Sequence, residues 1–321
     1  MSEWFELVNK SKTISLFTHI NSDGDANGSV MAMYHLLKDM NKEVFVFVPT
    51  PINKSYWFLG VNEISCGKTA KCYDLAIGLD CPNTKRFGQC EPEFFKAKHS
   101  ICIDHHLDNS NFADITIVNT EISSASELLF SLLENENDIK ITSQMATCLY
   151  LGIATDTGGF THGSHGDVNA DTWRTVAKLT EYGADLKIVN YNLFTHTRRA
   201  VFDLFKYGIS HVEFFEDGKI AMVCTTQKIL DETGAELTDT HKFTDLVSGI
   251  EGVEITAIMT ERAFNEQSVS IRSEVHNAQR ICKAFGGGGH LKASGCRLFN
   301  SFEVSKQLLL EECKRELYRN D

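Results

Sequence analysis

His19-Ile20-Asn21-Ser22-Asp23-Gly24-Asp25 puts one imidazole and two carboxylates into a single short loop. The apolar run Thr13-Ile14-Ser15-Leu16-Phe17 before it reads as a buried strand, and Gly28-Ser29-Val30-Met31-Ala32-Met33-Tyr34 after it reads as the start of a helix. Open α/β sheets hold their ligands in loops at the carboxyl ends of strands. Hard oxygen and imidazole donors there suit Mn²⁺ or a similar divalent ion better than a thiolate-seeking one. Taken alone, the same residues also describe an Asp/Gly-rich turn with a solvated histidine.

Three more segments end an apolar run on residues of the same type. Tyr73–Leu79 reads as a strand and delivers Asp80. Ser100–Ile103 reads as another and delivers Asp104-His105-His106. Cys148–Thr155 leads to Asp156-Thr157-Gly158-Gly159. An isolated Asp or a His pair is ordinarily a structural or surface feature. Four such clusters in order supply enough oxygen and nitrogen donors for two metal ions.

These clusters, Asp104-His105-His106 above all, resemble the DHH phosphoesterases. Far downstream, Phe285-Gly286-Gly287-Gly288-Gly289-His290-Leu291-Lys292-Ala293-Ser294-Gly295 is similar to the glycine-rich signature of the DHHA1 domain that often accompanies them. The resemblance implies a metal-dependent phosphoesterase with two divalent ions, Mn²⁺ foremost. His19, Asp23 and Asp80 would hold one ion; Asp25, Asp80, His105 and Asp156 would hold the other, with Asp80 as the bridge. Asp104 would orient a histidine, and His106 would face the phosphate. In the second domain Arg272, Gly287, Gly288, Gly289 and His290 would grip a second anionic group of the substrate. The implied chemistry is two-metal hydroxide attack on phosphorus with no covalent enzyme intermediate. Within the family, a chain of this length resembles the bifunctional oligoribonucleases that also dephosphorylate 3′-phosphoadenosine 5′-phosphate. The alternative is a cyclic di-AMP phosphodiesterase, and a third reading is a nucleotide sensor that has lost turnover. A homodimer is implied by the resemblance only. Because metal ligands must be deprotonated, activity is expected to fall in acid.

Composition narrows the partners. A net charge of −12 over 321 residues disfavours a broad grip on long nucleic acid and favours a small substrate at a local cationic site. No stretch approaches the ~20 apolar residues of a membrane span, and the start of the chain lacks the blocks of a signal peptide. Ten cysteines without a Cys-x-x-Cys suit free thiols in a reducing cytoplasm.

The motif positions divide the chain into a catalytic α/β domain with a largely parallel sheet at 1–185, a helical connector at 186–207 and a smaller α/β domain at 208–321. In the second domain, strands are expected at 211–215, 219–225, 253–260 and 269–272, and helices at 243–250, 277–285 and 302–317. Arg198, Arg199 and Arg262 read as surface charge, and His35, His99, His162, His165 and His241 as surface or structural. His162 and His165 are the two of these close to Asp156. Asn27 lies near enough to Asp25 to touch metal or substrate.

Overall fold

The computed structural model describes residues 2–61, 69–161 and 168–319. The chain forms two compact units, Met1–His196 and Thr197–Asp321. Their boundary falls inside the stretch expected as a connector: the helix Leu186–Asn190 lies in the first unit, and the helix Arg199–Ser210 in the second.

In the first unit, β1 (Thr13–Phe17), β2 (Glu43–Phe47), β3 (Tyr73–Leu79), β4 (Ala97–Asp104) and β5 (Ile115–Val118) form a wholly parallel sheet in the order β2-β1-β3-β4-β5. Strands buried on both faces read as near-continuous apolar runs, which is why β1, β3 and β4 are legible. Ile14, Leu16, Leu75, Ile77, Ile101 and Ile103 pack with the helices Glu3–Lys10, Gly24–Asp39, Ala125–Glu134 and Ser143–Asp156. Phe17, Phe47, Tyr73 and Ala76 face Phe87 and Phe94 in a separate aromatic layer. The chain leaves β1 towards β2 and returns to place β3 on the other side of β1. A crevice therefore opens between β1 and β3 at their carboxyl ends, the switch point where such sheets bind ligands.

At the opposite end of the sheet Asp74 ties three strands. Its Oδ2 accepts the N–H groups of Lys12 and Thr13 at 3.0 and 3.1 Å, and its Oδ1 meets Lys98 Nζ at 2.7 Å. Lys98, then those two N–H groups, hold the carboxyl well below the usual carboxylate range. A depressed folded-state pKa stabilises the fold above the unfolded value of about 4 and loses that contribution as pH falls through the folded value. Asp74→Ala should lower stability by about 1 kcal/mol at pH 7, allowing for solvent screening. The deficit should shrink below about pH 4. Urea unfolding at pH 7 and pH 3 checks this, and a pH-independent deficit would contradict it.

In the second unit, β6 (Glu213–Phe215), β7 (Ile220–Thr225), β8 (Ile255–Ala263), β9 (Glu266–Arg272), β10 (Gly288–Gly289) and β11 (Ala293–Leu298) form a sheet in the order β10-β11-β9-β8-β7-β6. Only the β7–β8 pair is parallel. The expected helix at 302–317 is present with those bounds. The residues expected only as a glycine-rich signature also build two strands, β10 and β11. Among the described residues no helix is long and apolar enough to cross a membrane, and the described cysteines are free.

Candidate metal centre

The helix after β1 begins at Gly24, four residues earlier than its apolar pattern suggests, because Asp23 caps it. Asp23 Oδ1 accepts the N–H groups of Asp25 and Ala26 at 3.1 Å each, leaving Oδ2 3.7 Å from His19 Nε2. One carboxylate thus starts the helix and faces the imidazole. Asp25, in the first turn, is fully buried. Its two oxygens accept the N–H groups of Ser126 and Ala125 at 2.8 and 2.6 Å, where the Ala125–Glu134 helix begins.

β3 ends on Leu79, and Asp80 takes a left-handed backbone with φ 54°. This turn, costing on the order of 1 kcal/mol for a non-glycine residue, aims one carboxylate in two directions. Asp80 Oδ2 lies 3.4 Å from His19 Nε2, and Oδ1 lies 3.5 Å from His105 Nε2. His105 Nε2 is also 3.3 Å from Asp156 Oδ2 and 3.9 Å from Asp25 Oδ2. The six residues thus fall into two groups, His19/Asp23/Asp80 and Asp25/His105/Asp156, each with its donor atoms close enough to share a cation. Asp80 touches both.

The spacing fits metal ligation better than hydrogen bonding. Separations of 3.3 to 3.9 Å exceed a normal N–H···O bond. They match two ligand atoms each about 2.1 Å from a shared ion. Asp80 Oδ1 is sealed from solvent without a hydrogen bond to any described residue. Four carboxylates crowd two imidazoles, and the charges respond. Burial and the charges of Asp80 and Asp156 push Asp25 well above the usual carboxylate range. Burial also raises Asp156; with the charges of Asp23 and Asp80 it outweighs the His105 bond and brings the carboxyl to about 6. Burial opposes charge on His19 and His105, yet their aspartate partners carry them to about 10 and about 12. A pocket with such surplus negative charge, lined by hard donors, suits divalent cations.

Asp104 is buried and bonds His106, the histidine next to the metal-facing pair: His106 Nδ1 lies 2.7 Å from Asp104 Oδ1. Asp104 Oδ2 accepts Asn109 Nδ2 at 2.6 Å. His106 also lies within ligating distance of Asp80 and His105, but its Nδ1 is committed to Asp104. The Asp104 bond raises the His106 pKa against the pull of burial.

Sequence reasoning passes over three residues. Asn109 fixes Asp104. Arg86, in the 3₁₀ turn Thr84–Cys90, brings Nη2 to 3.1 Å from His19 Nδ1, and its carbonyl accepts the Ile20 N–H at 2.7 Å. Tyr56 lies near enough for Asp23 and Asp156, with burial as the larger cause, to push its phenol up. None of the three lies on a strand end or in a run of like residues, so no sequence pattern signals them.

Other expectations resolve plainly. Asn27 is buried and its Nδ2 donates back to Ser22 O at 3.2 Å and to Asp23 O at 2.5 Å, so it braces the loop. Arg198 pairs through Nη2 with both oxygens of Asp239, while Arg199 and Arg262 form surface pairs with Asp203 and Glu266. His162 and His165, and the side chain of His241, lie outside the described residues.

In the second unit the anion-gripping candidates meet at one place. Arg272 on β9 stands opposite Ala293 on β11, and the Ala293 carbonyl accepts the His290 N–H at 2.8 Å. The glycines serve the fold as well. Gly286 and Gly287 donate to Lys283 O and Cys282 O, closing the helix Ala278–Lys283, and Gly288 and Gly289 pair with Gly295 and Ser294. A Cβ on Gly287 would sit 2.3 Å from Gly295 O, and one on Gly289 2.7 Å from Ala293 O. The expected cradle of glycine N–H groups is thus partly spent: those of Gly286 and Gly287 cap a helix. The Arg272 guanidinium donates through Nη1 to Ile271 O at 3.1 Å.

The chain is similar over nearly its whole length to several named proteins. Over 310 residues the chain is 28% identical to the bifunctional oligoribonuclease and PAP phosphatase NrnA of Thermus thermophilus, covering 95% of this chain and 90% of that one. It is 27% identical over 299 residues to the probable enzyme of the same name from Streptococcus mutans, covering 92% and 91%. An exopolyphosphatase-related protein from Bacteroides fragilis shares the fold with a TM-score of 0.87 at 24% identity, over 97% of this chain and 94% of that one. The segment that carries β1 to β5 matches a family model: residues 13–153 are similar to the N-terminal domain of the DHH family.

Proposed function

We propose that this DHH-family phosphoesterase hydrolyses short oligoribonucleotides and dinucleotides to mononucleotides, and 3′-phosphoadenosine 5′-phosphate to AMP, with two divalent ions, Mn²⁺ foremost, in a reducing cytoplasm. The observation that carries this reading is the Asp80 carboxylate, with one oxygen towards His19 and the other towards His105. His19, Asp23 and Asp80 would hold one ion, and Asp25, Asp80, His105 and Asp156 the other. Such ions supply charge neutralisation at phosphoryl oxygens and activation of water near neutral pH. Asp104 holds His106 Nδ1, so a proton passed to the leaving oxygen would come from Nε2. The Thermus and Streptococcus relatives bear the names of both activities, and their similarity spans nearly the whole chain. Arg272 and His290 suit a second anionic group on the same substrate.

Chromatographic product analysis tests the proposal. The panel is a 5′-phosphorylated diadenylate, a 24-nucleotide RNA, 3′-phosphoadenosine 5′-phosphate, cyclic di-AMP and pyrophosphate, each with Mn²⁺ and with EDTA. Fast mononucleotide release from the dinucleotide, abolished by EDTA and slow on the long RNA, is the expected result. Dominant turnover of cyclic di-AMP would reassign the substrate, and no turnover at all would leave a binding protein.

A further inference from the structure

The first unit carries a groove that the hydrolytic reading does not use, formed by the Val48–Ile52 segment, Trp57 and Gln89. It abuts the metal-facing loop. Thr50 Oγ1 accepts the Asn21 N–H at 2.7 Å, two residues from both His19 and Asp23. Gln89 lies three residues past Arg86, in the same 3₁₀ turn, and its Nε2 donates to Pro49 O at 3.1 Å. The side turned to solvent is the indole of Trp57, 45% exposed.

That exposure is not a loose side chain. Trp57 Nε1 donates to Ile52 O at 3.3 Å, which fixes the ring and satisfies its one polar group. The indole therefore offers only its π face and apolar edges. Lys54 Nζ stands 5.9 Å from the ring centroid, adding a cation beside the aromatic surface. Tyr56, the preceding residue, is the phenol that senses Asp23 and Asp156. The 3₁₀ turn Lys54–Leu59 thus sets Tyr56 against the core of the first unit and Trp57 at the groove. The groove's polar groups are a hydroxyl and a carboxamide, which pair with the edge of a flat heterocycle and do not attract a bare charge. A flat π-bearing group joined to an anion that would sit at the neighbouring Asp80 centre is a nucleotide.

We propose that the groove between Trp57 and Val48–Ile52 is a nucleobase subsite: the indole stacks the base of the nucleotide whose phosphate lies at the Asp80 centre, and Gln89 and Thr50 meet the base edge. The proposal rests on the reading of that centre as a phosphoester site. It makes the N-terminal domain itself, and not only the second unit, a determinant of affinity for nucleotides over other phosphoesters.

Calorimetric titration of the full-length, Mn²⁺-loaded protein with AMP and with ribose 5-phosphate tests it. The wild type should bind AMP the more tightly. Trp57→Ala should weaken AMP about tenfold, the scale of one base–aromatic stack, and leave ribose 5-phosphate within about twofold. Trp57→Phe should restore most of the difference. A collapse of the fold would weaken both ligands together, so the differential is the readout. Equal effects on both ligands, no effect on either, or undetectable AMP binding by the wild type would overturn the subsite. Hydrolysis of the dinucleotide without the AMP differential would remove the subsite and keep the enzyme. The differential without hydrolysis would do the reverse.

Discussion

Asp80→Asn should cut turnover of the preferred phosphoester by about a thousandfold or more. The substitution keeps the shape of the side chain and removes its charge. It also replaces one of two carboxylate oxygens with an amide nitrogen that cannot ligate a hard cation. In the wild type those two oxygens point at His19 and His105, so one metal group loses its Asp80 oxygen and the other keeps only a neutral amide oxygen in place of a carboxylate. Bound Mn²⁺, measured after gel filtration, should fall from two ions per chain towards none. A change at Asp23, by contrast, touches one group only and lies half exposed, so the surviving site should still load. Retention of both ions, or turnover within tenfold of wild type, would overturn the bridging role.

Gly152→Ala should be nearly as damaging, though a methyl group adds no charge. A Cβ at this position would stand 2.0 Å from Ser126 Oγ and 2.4 Å from Asp25 Oδ1. Both neighbours are buried, and Asp25 is fixed by the N–H groups of Ala125 and Ser126. Nearby, a Cβ on Gly28 would meet Cys148 O at 2.4 Å, so the helices Gly24–Asp39 and Ser143–Asp156 touch through backbone. Accommodating the methyl means parting these helices or displacing Asp25, and overpacking of this kind costs about 1–3 kcal/mol. Because Asp25 and Asp156 come from the two helices that part, activity should drop at least a hundredfold while the melting temperature falls by several degrees. Wild-type turnover in a destabilised protein would show that the packing is separable from the centre.

The sheet and the gathering of acidic and histidine residues at its carboxyl edge are legible because a parallel strand and the acid that follows it are one local pattern. Thr13–Phe17 and His19, Tyr73–Leu79 and Asp80, and β4 with Asp104-His105-His106 each combine apolar burial with polar residues at the strand end. What stayed hidden depends on contacts between distant positions. Asp25 is held by backbone amides about a hundred residues away, and Gly152 is constrained by Ser126, so neither dependence has a local signature. Arg86 and Tyr56 lie in 3₁₀ turns without periodicity. The glycine run marks the opposite failure. Four consecutive glycines describe an anion nest and a helix stop followed by a narrow hairpin equally well. Here the N–H groups of Gly286 and Gly287 are used for the second purpose.

The left-handed backbone of Asp80 constrains what this position can become. Glycine, asparagine and aspartate are the residues that enter that conformation at low cost. The fold admits all three, whereas the chemistry at the centre admits one. Genetic drift at position 80 is therefore funnelled towards intact but silent proteins and away from misfolded ones. Such a protein would retain whatever affinity the rest of the chain has for its ligand, so the position separates recognition from turnover. An enzyme built this way is one residue from becoming a receptor.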